Sequence, residues 1–100
     1  MLVARVIGTV VASRKEATLE GLTLLLLQAT KPSGEASPSS PYVVAVDTVG
    51  AGLGDLVLYA SGSSARLTVQ TKDRPVDAAV MAIVDLVEEQ RELVYRKDDE

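Results

Sequence analysis

The sequence predicts a mainly β protein, a small barrel with one short α-helix. Three observations carry this. Apolar residues gather in short runs of Val, Leu, Ile and Ala bounded by Gly, Pro, Ser and charged residues, the pattern of strands between turns. The 100 residues hold three Tyr but no Phe or Trp, and branched aliphatics suit a pleated, half-buried surface. Three glycines, Gly50, Gly52 and Gly54, fall within five residues between two such runs, which marks a loop with an unusual path or a close neighbour.

The elements follow in order. Residues 2–13 read as a long strand whose imperfect alternation suits cover on both faces, with Gly8 marking a bulge or close contact. A polar connection from Arg14 to Gly21 leads to a second strand at 22–29. Gly21 and Pro32 bound that run and favour a strand over a buried helix. Residues 30–41 hold three prolines, four serines and a glycine and read as a surface loop open to length variation. Strands are expected at 42–46 and 56–60, either side of the glycine loop. Ser61 to Arg66 reads as the helix, with Ser63 or Ser64 as its N-cap. It must be short, because Thr68-Val69-Gln70-Thr71 favours helix poorly. Lys72 to Pro75 is a turn.

The last third is ambiguous. Val80, Ile83, Val84 and Val87 have helical spacing, and taken alone residues 76–94 lean towards helix with Asp77 as N-cap. The competing reading is a strand over about 79–88, a turn near Gln90-Arg91 and a strand over 92–96.

Length fixes one domain, and an apolar share of 47% is ample for a core. A small domain without large aromatics buries less area per residue, which points to subunit contacts as part of its stability. The absence of Cys and His removes disulfides, thiol chemistry, the commonest metal ligand and the usual general base near neutral pH. A net charge of −4 disfavours nucleic acid as the main partner. The opening residues lack the layout of a secretory signal, and no apolar run approaches the ~18 residues of a membrane span. The chain reads as cytoplasmic.

Few residues offer chemistry. The glycine loop resembles a phosphate cradle but lacks the Walker lysine, and Asp47 and Asp55 would repel an anion; a tight turn or subunit contact fits better. Asp47, Asp55, Asp77 and Asp85 match no metal-loop spacing, so turn capping and ion pairing account for them. No base stands beside Ser61, Ser63 or Ser64 to activate a nucleophile. No cofactor is expected. Arg66 either stabilises helix-end carbonyls or forks onto a carboxylate of a neighbouring chain. Arg14-Lys15 is a solvated turn or a docking contact.

Several blocks together resemble one family. These are Val6-Ile7-Gly8-Thr9-Val10-Val11-Ala12-Ser13-Arg14-Lys15, Gly21-Leu22 with Leu24-Leu25, and Val46-Asp47-Thr48-Val49-Gly50-Ala51-Gly52 with Asp55. Gly62-Ser63-Ser64-Ala65-Arg66, Arg74-Pro75-Val76-Asp77-Ala78-Ala79 and Ile83-Val84-Asp85 complete the set. In that order they resemble the pentameric vertex proteins of bacterial microcompartments, the carboxysome and ethanolamine-utilisation shell proteins of EutN/CcmL type. The resemblance implies a five-stranded OB-like β-barrel with one short helix. It makes residues 1–96 a vertex domain and 97–100 a charged tail, and it replaces the helical reading of the last third by strands. It implies a homopentamer closing a fivefold vertex beside hexameric and trimeric shell proteins. The long Ser/Pro loop and the acidic tail depart from the pattern.

On this basis Asp47, Gly50, Ala51, Gly52 and Arg66 are expected at the subunit interface, and Arg14 and Lys15 at the contact with shell tiles. The alternatives weighed are a nucleic-acid-binding module on the same barrel, which needs stacking aromatics and a basic groove, and a carboxylate- or metal-based hydrolase.

Overall fold

Alternation decides which side chains enter the core. The computed structural model describes residues 1–99. Among the described residues the strands are β1 (Leu2–Val10), β2 (Leu24–Ala29), β3 (Tyr42–Asp47), β4 (Leu56–Ser61), β5 (Ala78–Ile83), β6 (Leu86–Glu89) and β7 (Glu92–Arg96). The first five close a barrel in the order β1-β2-β3-β5-β4, and β6 and β7 form a separate two-stranded sheet. Ala4 and Val6 of β1, Leu25 and Leu27 of β2, Ala45 of β3, Val57 and Tyr59 of β4 and Val80 of β5 turn inward and make the core. Burying a side chain such as Leu27 completely stabilises the fold by ~1.5–3 kcal/mol.

The expected bulge is present. Val6 pairs with Leu27 and Gly8 with Leu26, which leaves Ile7 as the extra residue. β1 ends at Val10 rather than at 13. β3 and β5 run parallel, whereas the other barrel ladders are antiparallel.

Residues 76–94 hold strands, as the resemblance implied, and not the helix that their spacing suggests when taken alone. The 3.6-residue spacing there is incidental: Val80 faces the core while Ala79, beside Ala60 on β4, is buried on the opposite face. The turn falls at Gln90 and Arg91, both at positive φ (52° and 69°), the geometry of a two-residue hairpin whose twist matches its strands. The expected α-helix is a five-residue 3-10 helix at Gly62–Arg66. Ser61 stands at its N-cap with no side-chain hydrogen bond, so neither Ser63 nor Ser64 caps it. The chain then leaves the helical path, because Thr68 and Thr71 hydrogen-bond each other through hydroxyls and backbone amides, a local alternative to a helical ladder.

The described part of the tail, Lys97–Asp99, is a further 3-10 turn; Glu100 lies outside the described residues. The molecule measures 45 × 25 × 23 Å.

Candidate functional site

The glycine loop joins β3 to β4, and its two aspartates fix its path. The Asp47 carboxylate accepts hydrogen bonds from the backbone amides of Val49, Gly50 and Ala51 at 3.0, 3.0 and 3.2 Å. At the other end the Asp55 carboxylate accepts from the Gly52 amide at 2.8 Å. Gly54 and Asp55 then pair with Val6 of β1 through two backbone hydrogen bonds. The sequence reading took the aspartates as anion-repelling flanks; the structure shows in addition that they occupy the amides a phosphate would need at these four positions. Gly50 and Gly54 adopt positive φ (78° and 89°), which a side chain resists.

Ala51 faces inward and packs against the core. Gly50 and Gly52 are exposed, and a Cβ on Gly52 would meet only the Asp55 carboxylate at an ordinary 3.9 Å. The loop is thus pinned by its own hydrogen bonds with Ala51 as its inner peg, and it exposes Val49 and Leu53. Thr48 donates its hydroxyl to the Val80 carbonyl at 2.6 Å and holds the loop's first residue to β5.

Arg66 is not brought to this loop. Its guanidinium donates to the Val76 carbonyl at 3.1 Å, across the base of its own excursion from the barrel. It lines a shallow depression with Glu16, Thr18, Asp73, Arg74 and Pro75. Within the subunit it thus caps neither the carbonyls of its own helix nor a carboxylate. The polar connection after β1 approaches the same region, since Arg74 donates to the Glu20 carbonyl at 2.9 Å. Arg14 is exposed. Lys15 donates to the Ala12 carbonyl and sits 3.7 Å from the Glu20 carboxylate, an exposed pair worth little. Beside them, hydrogen bonds from Thr18, its hydroxyl first and then its amide, hold the Glu16 carboxyl below the usual carboxylate range.

Sequence reasoning missed the residue that ties the loops together. Arg5 donates from Nη1 to the Gly54 carbonyl at 2.9 Å and from Nη2 to the Gly34 carbonyl at 3.0 Å. Its guanidinium also lies 5.9 Å from the centre of the Tyr95 ring, within cation–π range. One side chain joins the glycine loop, the Ser/Pro loop and the β6–β7 hairpin. The available signal was a lone arginine inside the apolar run Val3-Ala4-Arg5-Val6. Gly34 is itself buried at positive φ (88°), so the Ser/Pro loop is anchored at its middle. Lys97, 3.6 Å from the Asp55 carboxylate, adds an ion pair at the same junction.

Among the described residues no three acidic side chains converge to hold a metal ion, and no helix is long and apolar enough to cross a membrane. Tyr59 and Tyr95 are buried, which leaves Tyr42, 61% exposed, as the one aromatic able to stack on a base.

Comparison with known proteins agrees with the sequence resemblance. Residues 1–85 match the family described as ethanolamine utilisation protein EutN/carboxysome. The carboxysome shell vertex protein CcmL of Thermosynechococcus vestitus is 47% identical over 97 residues, spanning 97% of this chain and 96% of the relative. The structure of Gloeobacter violaceus CcmL superposes with a TM-score of 0.92 at 44% identity, covering 99% of this chain and 100% of that one. The GrpN pentameric microcompartment shell protein from Rhodospirillum rubrum superposes at 0.77 with 42% identity, covering 89% and 100%.

Proposed function

The chain belongs to the EutN/carboxysome family, and from that membership we propose that five copies form a ring capping a fivefold vertex of a polyhedral bacterial microcompartment. A flat sheet of sixfold tiles cannot close without fivefold points, and a cyclic ring is built from head-to-tail contacts. The observation that carries this reading is the likeness, over nearly the whole chain, to shell vertex proteins, one of them named as pentameric.

The role is structural rather than catalytic, and its place is the shell of a cytoplasmic microcompartment. Residues 1–96 act as the vertex domain and 97–100 as a charged tail. Asp47, Gly50, Ala51, Gly52 and Arg66 serve the ring contact. Asp47 and Ala51 hold the loop rigid, while Gly50 and Gly52 let a neighbour approach closely. Arg66 is exposed on the turn that follows β4. Arg14 and Lys15, exposed after β1, face hexameric and trimeric shell tiles.

The mass of the purified particle tests the reading. Five chain masses are expected; a monomer at high concentration, or another copy number, overturns it. Gly52→Leu tests the loop's part in the ring, because the isolated subunit has room for that side chain. Native mass spectrometry should show less pentamer, and an unchanged pentamer removes the loop from the contact.

A further inference from the structure

Arg5 leaves the barrel on its outer face. Its neighbours Ala4 and Val6 belong to the core, so alternation turns Arg5 outward. Its backbone is fixed from both sides, because Arg5 pairs with Gln28 of β2 and with Leu56 of β4. The side chain is thus a post on a strand laddered along both edges. Three segments far apart in sequence meet at its tip: Gly34 of the Ser/Pro loop, Gly54 of the glycine loop and Tyr95 of β7.

The contacts at this tip depend on one another. The Gly34 carbonyl accepts from Nε and Nη2 at 3.4 and 3.0 Å, and the Gly54 carbonyl accepts from Nη1 at 2.9 Å. A guanidinium is planar and its donors are fixed relative to one another. If one carbonyl swings away and the group turns to water, the other carbonyl loses its donor too. The Tyr95 ring is buried beside the same group, and it packs so close to Gly34 that a Cβ there would stand 3.3 Å from it. Departure of Gly34 therefore uncovers the ring. The direct tie between the glycine loop and the hairpin, Lys97 to Asp55 at 3.6 Å, is partly exposed and adds little. Neither loop carries a ladder, and a lone two-stranded hairpin is marginal in water.

We propose that Arg5 makes the Ser/Pro loop, the end of the glycine loop and the β6–β7 hairpin one cooperative unit, a clasp that opens and closes as a whole while the barrel stays folded. Local opening of proteins runs in such units, drawn from segments with few ladder bonds of their own. The clasp is a conformational device. Whatever holds the exposed Ser/Pro loop shut also holds Gly54 and the hairpin, and a neighbour that steadies the glycine loop steadies the Ser/Pro loop by the same factor. The turn after Arg66 lies outside the unit, because its own threonines hold it. None of this depends on the copy number of the assembly.

Native-state hydrogen exchange of the full chain, followed at denaturant concentrations below unfolding, tests this. One amide reports on each segment: Gly34, which donates to the Lys31 carbonyl, Gly54, which donates to the Val6 carbonyl, and Lys97, which donates to the Asp85 carbonyl. In the parent chain the three should share one protection factor and one denaturant slope. Both should lie below those of Leu27, laddered to β1 and β3. Unrelated protection at the three amides overturns the clasp. So does protection equal to that of Leu27, because the segments then open only when the barrel unfolds. Arg5→Lys keeps the charge and the stem but not the fork. It should split the three amides into separate openings, with Gly34 losing protection on the order of tenfold. The Lys72 amide, which donates to the Thr68 carbonyl, should not change. Three amides that stay matched in Arg5→Lys overturn the part given to Arg5, and the parent measurement decides the clasp even where that variant does not fold.

Discussion

The two glycine-bearing loops of this protein share one anchor, Arg5, but differ in what else holds them. The loop between β3 and β4 carries its own anchors: Asp47 and Asp55 bind backbone amides two to four residues away. The loop between β2 and β3 is anchored from a distance, since Arg5 reaches the Gly34 carbonyl across 29 residues of sequence. Both are polar and rich in turn residues, and both hold glycines at positive φ. Arg5 ties both to β1; the first adds two carboxylates of its own that hold its amides, whereas the second has backbone and serine hydrogen bonds within it and leans on Arg5 at its buried glycine. A locally anchored loop survives small shifts of its surroundings, whereas a remotely anchored one depends on register.

The largest effect should come from breaking the remote anchor at its tightest point. A Cβ on Gly34 would lie 2.3 Å from Arg5 Nη2 and 3.3 Å from the Tyr95 ring, and φ is left-handed there. Gly34→Ala must displace the guanidinium, and with the backbone penalty should cost about 3 kcal/mol in chemical denaturation. A loss below roughly 1 kcal/mol would mean that the anchor contributes little.

Arg5→Lys should cost about 1.5–2 kcal/mol, because an ammonium cannot fork between the Gly34 and Gly54 carbonyls. Combined with Gly34→Ala it should add much less than its separate effect, since both changes remove the same contact. Full additivity would separate the two residues.

The local anchor should break more gently. Asp47→Ala leaves three amides to find water and should cost about 1–2 kcal/mol, by analogy with loss of a capping side chain. Asp47→Asn keeps an acceptor oxygen and should cost less than about 0.5 kcal/mol. Equal losses in the two variants would point to the charge rather than the hydrogen bonds.

The smallest effect is a pH dependence at another locally anchored turn. Hydrogen bonds from Thr18 lower the Glu16 carboxyl from its ordinary value of 4.5. The folded state thus binds that proton less readily than the unfolded chain. Its contribution is complete above the ordinary value and is lost as pH falls through the lower folded value. The Thr18 amide resonance in NMR should titrate below 4.5; a midpoint at or above that value would show that the turn's carboxylate cap does not form.

Particular elements show how much could be read in advance. Strands β1 to β4 were legible because their apolar runs are bounded by turn residues, and β1 and β3 are also rich in β-branched Val. The bulge at Ile7 was foreshadowed by Gly8. The glycine loop was legible as a candidate site because its anchors lie within it. Arg66 was legible as a residue of interest, but its partner Val76 was not, because the contact closes an excursion of ten residues whose path the sequence does not specify. Residues 76–94 were ambiguous taken alone, because Val80, Ile83, Val84 and Val87 satisfy a helical period and strand pairing alike, and only the resemblance favoured strands.

The sequence by itself determined the strand-forming runs, the self-anchoring of the glycine loop and, through its ordered blocks, the family. Each of these depends on residue types within a few positions of one another, or on their order along the chain. Tertiary structure alone decided that β3 and β5 pair in parallel and that Arg5 joins two loops and the hairpin. In each of those cases the deciding partner lies far away in the chain, and closure of the barrel sets which distant groups come within hydrogen-bonding reach.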